Sequence, residues 1–131
     1  MKVRVLLLGC GNVGRGLCSL FSGKGKELAE RYGVDLSLTG AATRTHGCAV
    51  DPDGLDPRDV LSGRAFSTSP SRVSTMDLVE TSGYDVLAEC TVTNPETGEP
   101  ALSHIRTALE RGKSVTTSNK GPIALDFHGL R

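Results

Sequence analysis

The stretch VRVLLLGCGNVGRG, Val3 to Gly16, decides how the rest of the chain is read. Val3 to Leu8 is apolar with almost no alternation, the pattern of a strand covered on both faces. Gly9, Gly11 and Gly14 follow at once as G-x-G-x-x-G, and from Asn12 onward the apolar spacing turns helical. Three glycines alone carry little weight; their place between a buried strand and a helix start carries more. The first permits the sharp turn, the second lets backbone approach a pyrophosphate, and the third lets helix pack on strand. The helix N-terminus then offers unpaired N–H groups and a positive dipole end to phosphate. The competing reading is a glycine-rich β-to-α turn with no ligand.

Downstream, Asn12 to Arg31 reads as a helix with Val13, Leu17, Leu20, Phe21 and Leu28 on one stripe and Gly33 at its end. Val34 to Ala42 reads as a second strand. Thr43 to Arg72 is rich in Asp, Pro, Gly, Ser and Arg and reads as loop, with one short helix opened by Asp56-Pro57. A small helix follows, with Ser74 as N-cap and Asp77 at its third position. Tyr84 to Cys90 is a third strand. Glu99-Pro100 opens a helix whose Ala101, Ile105, Ala108 and Leu109 face the core, and Gly112 ends it. Lys113 to Ser118 is a fourth strand. Strands alternating with helices predict an α/β fold: a Rossmann-type doubly wound parallel sheet with helices on both faces, in one domain over residues 1–131.

Bulk composition narrows the function. Fifteen Lys and Arg balance fifteen Asp and Glu, so the formal net charge is zero and there is no electrostatic case for nucleic acid or an anionic membrane. The longest apolar run, Val5 to Leu8, is too short to span a bilayer, and Met1 to Leu8 lacks the features of a signal peptide. Cys10, Cys18, Cys48 and Cys90 show no C-x-x-C spacing. Free thiols in a reducing cytoplasm fit this pattern better than disulfides or zinc. Glycine is in excess, 16 of 131 residues, against a usual share of about 7%.

Polar residues at the predicted strand ends are the candidate ligand contacts. A carboxylate after the second strand would select the ribose hydroxyl of NAD, and an arginine the 2′-phosphate of NADP. Here that position offers Thr43 and Arg44 and no acid. Arg58 and Arg64 are alternatives from the following segment, and His46 reads as a loop histidine. Thr91, Thr93 and Asn94 follow the third strand, either as nicotinamide-ribose contacts or as a local turn. Glu89, inside that strand, must be paired or at a sheet edge. Lys120, in the turn Asn119-Lys120-Gly121-Pro122, lies on the same rim past the fourth strand. It is either a rigidly held amine at the cofactor's reactive end or a surface lysine.

GCGNVGRGL, ECTVTNPETGEPALSHIRTALERGKSV and TTSNKGPIAL occur in this order. With these segments, nearly the whole chain resembles the N-terminal domain of homoserine dehydrogenase. The Asn-Lys-Gly-Pro turn and the T-G-E-P-A helix start are the more specific parts. The resemblance implies a Rossmann fold and reduction of L-aspartate 4-semialdehyde to L-homoserine with NADPH or NADH, on the route to threonine and methionine. It places dinucleotide contacts on the backbone of Cys10, Gly11, Asn12 and Val13 and the 2′-phosphate on Arg44, making NADP the expected cofactor ahead of NAD. Thr91 and Ser118 fall at ribose and nicotinamide contacts. Lys120 becomes a hydrogen-bond donor to the aldehyde oxygen as negative charge grows there. No metal is implied. Family members continue into a substrate and dimerisation domain, so a homodimer is expected of the full enzyme. This sequence is expected to be a fragment or a separate cofactor-binding polypeptide, competent to bind dinucleotide but inactive alone. Two other readings remain: another semialdehyde or amino-acid dehydrogenase, and a non-catalytic dinucleotide-binding module such as a redox sensor.

Overall fold

The computed structural model describes residues 1–44, 46–91, 94 and 96–118. Its first strand, β1 (Lys2–Leu8), runs through the middle of a six-stranded sheet. Val5 and Leu7 join one core cluster and Leu6 and Leu8 another, so both faces of the strand are covered. That double burial is why the strand lacks alternation. The first cluster lies under α1 (Asn12–Tyr32), α2 (Pro57–Ser62) and α3 (Ala65–Thr68), which contribute Cys18, Val60 and Ala65. The second lies under α4 (Thr75–Thr81) and α5 (Ala101–Glu110), which contribute Leu78, Val79 and Ala108.

The parallel part of the sheet holds β1, β2 (Asp35–Thr43), β5 (Val86–Glu89) and β6 (Ser114–Thr117), with β2 and β5 flanking β1. The chain leaves β1 toward β2 and later returns on the other side at β5, so a crevice opens at the carboxyl ends where the winding reverses. The doubly wound α/β sheet with helices on both faces is as expected; two further strands run antiparallel at its edge. β3 (Gly47–Leu55) pairs antiparallel with β2, and the two-residue β4 (Pro70–Ser71) pairs antiparallel with β3, giving the order β4-β3-β2-β1-β5-β6. The segment 43–72, read as loop, therefore holds two strands and two short helices. Its β3 buries only Cys48, Ala49 and Leu55, and it carries Asp51, Pro52, Asp53 and Gly54 within the strand. Pairing to β2, rather than its own apolar pattern, makes this segment a strand.

Local signals at helix ends hold well. Asp56 caps α2 by accepting from the Arg58 backbone N–H at 2.9 Å, with Pro57 in the first turn. Ser74 and Asp77 form a reciprocal capping box: the Ser74 hydroxyl oxygen accepts at 3.1 Å and the Asp77 carboxylate at 3.3 Å. Gly33 ends α1 at φ +64. Helix faces were less legible. Gly14 and Cys18 are the buried residues of α1, while Val13 and Leu20, expected inside, are 57% and 56% exposed. In α5 the core-facing set is Ala101, His104, Ile105 and Ala108, and Leu109 lies outside it. No helix among the described residues is long and apolar enough to cross a membrane.

β1 is tied to the approach of β5 by Arg4 and Asp85. The Asp85 carboxylate accepts from the Arg4 backbone N–H at 2.8 Å and from its guanidinium at 3.1 and 3.3 Å. The guanidinium first, and then the backbone N–H, hold the Asp85 carboxyl below its ordinary range. A depressed carboxyl adds stability above its unfolded pKa of about 3.9 and loses it as pH falls through the lower folded value. Asp85→Asn should therefore lower the melting temperature near neutral pH, and the gap to wild type should close at about pH 2. Thermal unfolding followed by circular dichroism across that range checks this; a gap that widens in acid would contradict it.

Candidate functional site

The crevice outside β1, β2 and β5 is a cleft of about 790 Å³. Its floor is the turn between β1 and α1. Gly9 has φ +89, and its N–H donates to the Ala42 carbonyl at 2.7 Å. A β-carbon on Gly9 would lie 2.5 Å from the Cys90 carbonyl oxygen, and one on Gly14 would run into the carbonyl of Gly9. These two glycines are demanded by packing of the turn against β5 and of α1 against the turn. Gly11 differs: a β-carbon there meets no atom of the described residues within 4 Å. It forms the N-cap of α1 with no side-chain cap, and the first turn carries no acidic residue. Among the described residues, the N–H groups at Asn12 and Val13 thus begin a 21-residue helix with no side-chain cap bond. Open space over Gly11, beside that helix end, fits the close approach of an anionic group such as phosphate.

One wall comes from the β2–β3 turn and from α2 and α3. The Thr43 hydroxyl oxygen accepts from the His46 backbone N–H at 2.7 Å, and the His46 ring lies 5.6 Å from that of Phe66. Arg44 is exposed on the cleft rim. The other two arginines considered for this end do not line the cleft: Arg58 is forked onto Asp56 at 2.9 and 3.2 Å, and Arg64 lies outside the lining. Arg15 was missed by the sequence reading and does line it. Its guanidinium donates to the Leu61 carbonyl at 2.9 Å and so braces α1 against α2. The available signal was its place directly after the third glycine.

The opposite wall follows β5. Glu89 is fully buried. Its carboxylate accepts from the Thr91 backbone N–H at 2.8 Å, from the Thr91 hydroxyl, and from the Thr117 hydroxyl of β6 at 3.1 Å. It is therefore paired inside the sheet, one of the two alternatives the sequence left open, and it fixes Thr91 at the cleft. Asn94 also lines the cleft; its side-chain oxygen accepts from the Glu96 and Thr97 N–H groups, the turn reading of this residue. Ser118 is exposed and stands beside Cys90 rather than in the lining. Burial pushes the Cys10 thiol up to about 11, and burial also raises Cys18 and Cys90. These thiols are protonated at neutral pH, which disfavours thiolate chemistry at the turn. Thr93 and Lys120 lie outside the described residues. The structure thus gathers Gly9, Cys10, Gly11, Arg44 and Thr91 around one cleft, with Asn12, Val13 and Gly14 at the adjoining helix start. His104 joins them as a second residue the sequence reading missed.

No family model matches the chain. Among curated proteins, an NAD(+)-dependent homoserine dehydrogenase of Pseudomonas canavaninivorans is 36% identical over 98% of this chain and 38% of its own length. The homoserine dehydrogenase of Methanocaldococcus jannaschii is 30% identical over 96% of this chain and 39% of its own length. The chain therefore spans about two-fifths of the length of these relatives. Among solved structures, a hyperthermophilic archaeal homoserine dehydrogenase mutant in complex with NADPH matches at TM-score 0.76 and 25% identity, covering 99% of this chain and 40% of that one. The homoserine dehydrogenase of Thermoplasma acidophilum shares the fold at TM-score 0.77 and 23% identity, over 99% of this chain and 39% of its own. Nearly the whole chain is thus similar to part of proteins named homoserine dehydrogenase.

The contrast between two glycines is open to test. Gly14→Ala should destabilise the fold by about 1–3 kcal/mol or more, because the added methyl has no room. Gly11→Ala should cost less than about 1 kcal/mol, the scale of an N-cap exchange. Urea denaturation of both variants measures this, and equal losses would mean that Gly11 too is held by internal packing.

Proposed function

We propose that this chain is the NAD(P)-binding domain of a homoserine dehydrogenase, an oxidoreductase that converts L-aspartate 4-semialdehyde to L-homoserine. The observation that carries the reading is the open space over Gly11 at the uncapped start of α1, within a cleft that also holds Arg44 and Thr91. The relatives add the reaction: those matched across this chain are named homoserine dehydrogenases. When bound, NADPH or NADH supplies hydride to the aldehyde carbon. The backbone of Cys10, Gly11, Asn12 and Val13 holds the pyrophosphate, and Gly9 and Gly14 give that backbone its shape. Arg44 meets the 2′-phosphate. Thr91 and Ser118 serve the nicotinamide half, with Thr91 oriented by Glu89. Lys120, outside the described residues, donates a hydrogen bond to the substrate oxygen as charge develops on it. A substrate and dimerisation domain outside this sequence completes the enzyme as a homodimer. Its product feeds threonine and methionine synthesis in the cytoplasm.

Cofactor choice is the first test. One relative is named NAD(+)-dependent and another binds NADPH, and Arg44 tips this chain toward NADP(H). A charge-assisted bond to phosphate contributes about 1.5–3 kcal/mol, so Arg44→Ala should weaken NADPH binding roughly 10- to 150-fold and leave NADH unchanged. Calorimetric titration of both cofactors reads the ratio. An unchanged ratio would make Arg44 a solvated loop cation.

Lys120 is tested in the full-length enzyme. Lys120→Ala should lower turnover about 10²–10³-fold, the scale of one oxyanion donor, with little change in cofactor affinity. Lys120→Arg should recover little, since a planar fork replaces a compact ammonium. Steady-state kinetics beside cofactor titration separates a catalytic amine from a dinucleotide anchor, which would lose both together.

A further inference from the structure

His104 sits on the second turn of α5, where its neighbours Ala101, Ile105 and Ala108 face the core. The residue is only 5% exposed, yet it lines the cleft at the end where Thr91 lies. Its Nδ1 atom is buried and has no hydrogen-bond partner among the described residues. Buried polar side chains are normally paired, and the residue that carries this orphaned nitrogen lines the cleft, so a small turn of the ring would offer Nδ1 to a partner bound there. The nearby carboxylates do not need one. Glu99 accepts from the Ser103 hydroxyl at 2.7 Å and from its backbone N–H at 3.2 Å, and Glu89 is held by Thr91 and Thr117.

The chemistry of the ring narrows the partner. Burial pushes the imidazole below its ordinary pKa, against the opposing pull of Glu89 and Glu99. It is therefore neutral at physiological pH, with one nitrogen donating and the other accepting. A primary carboxamide can meet Nδ1 in either tautomer, with its NH₂ where Nδ1 accepts and with its carbonyl oxygen where Nδ1 donates. Location agrees. With phosphate at the start of α1 and Arg44 on the β2 side, the far half of a dinucleotide lies toward β5 and α5.

We propose that His104 positions the nicotinamide carboxamide, pairing its buried Nδ1 with the amide and so setting which ring face is offered to the substrate. This rests on the dinucleotide reading of the cleft given above. It adds a positioning residue from α5 to contacts that otherwise come from strand ends and the phosphate turn.

The test compares NADPH with 2′-phospho-ADP-ribose, which keeps every group except nicotinamide. In the protein labelled with ¹⁵N-histidine, NADPH should shift the His104 Nδ1 resonance and 2′-phospho-ADP-ribose should leave it in place. By calorimetry, His104→Ala should weaken NADPH roughly 10-fold, the scale of one neutral hydrogen bond, and leave 2′-phospho-ADP-ribose unchanged. His104→Asn, which returns an amide close to the Nδ1 position, should recover most of the NADPH affinity. A resonance that moves with neither or with both compounds overturns the assignment. So does an equal loss of affinity for both in His104→Ala, which marks a purely structural histidine. Failure of the wild-type protein to bind either compound is a separate result: it removes the dinucleotide reading itself, and this proposal with it.

Discussion

Three stretches of backbone meet at Gly9. Its N–H is bonded to Ala42 at the end of β2, its α-carbon lies against the Cys90 carbonyl past β5, and its own carbonyl fills the space a side chain would need at Gly14. The ends of three parallel strands and the start of α1 are thereby brought closer than side chains allow. The cleft exists because of that approach. Its floor is main chain, so its polar groups are N–H donors fixed by the fold rather than side chains that must be ordered on binding. Donors held in advance need little reorganisation when a ligand arrives.

Around this floor the walls are stiffened by contacts among residues that line the cleft or stand just behind it. Arg15 braces α1 on α2 through Leu61, His46 stacks on Phe66, and Glu89 clamps Thr91 to Thr117 of β6. The buried carboxylate is the costliest of these. A charge removed from water is tolerated only when its oxygens are fully engaged, and Glu89 has donors on both. The gain is rigidity in Thr91, which stands where two strands and the cleft meet.

Much of the fold and part of the site were legible in the sequence, for identifiable reasons. The β1 run, the glycine turn, the Ser74–Asp77 capping box and the Asp56-Pro57 helix start are local signals, and each one is decided within a few residues. The β3 strand was not legible because its apolar content is three buried residues and its pairing partner β2 is supplied by the fold. The α1 stripe was misplaced for a related reason. Apolar residues were taken to face inward, yet the sheet contacts α1 through Gly14 and Cys18, and Val13 and Leu20 were left outside. Small residues give close packing without a hydropathy signal. His104 was hidden by its type: a histidine at a core spacing reads as an interruption of the apolar face. Arg44 and Thr91 were singled out because strand ends in such sheets are where ligands bind, and both line the cleft. That Asp56 holds Arg58, while Arg44 lines the cleft, was not readable from spacing.

The unequal standing of the three glycines has an evolutionary corollary. Gly9 and Gly14 are required by packing whatever the cleft contains, whereas at Gly11 no atom of the described residues crowds a β-carbon and only the mild N-cap preference remains. On the dinucleotide reading proposed above, its conservation in any lineage would report chiefly on the ligand. A descendant released from cofactor binding should accumulate substitutions at this position early and neutrally, while the flanking two glycines persist. Drift at the middle glycine is thus a molecular clock for loss of function that starts before the fold decays.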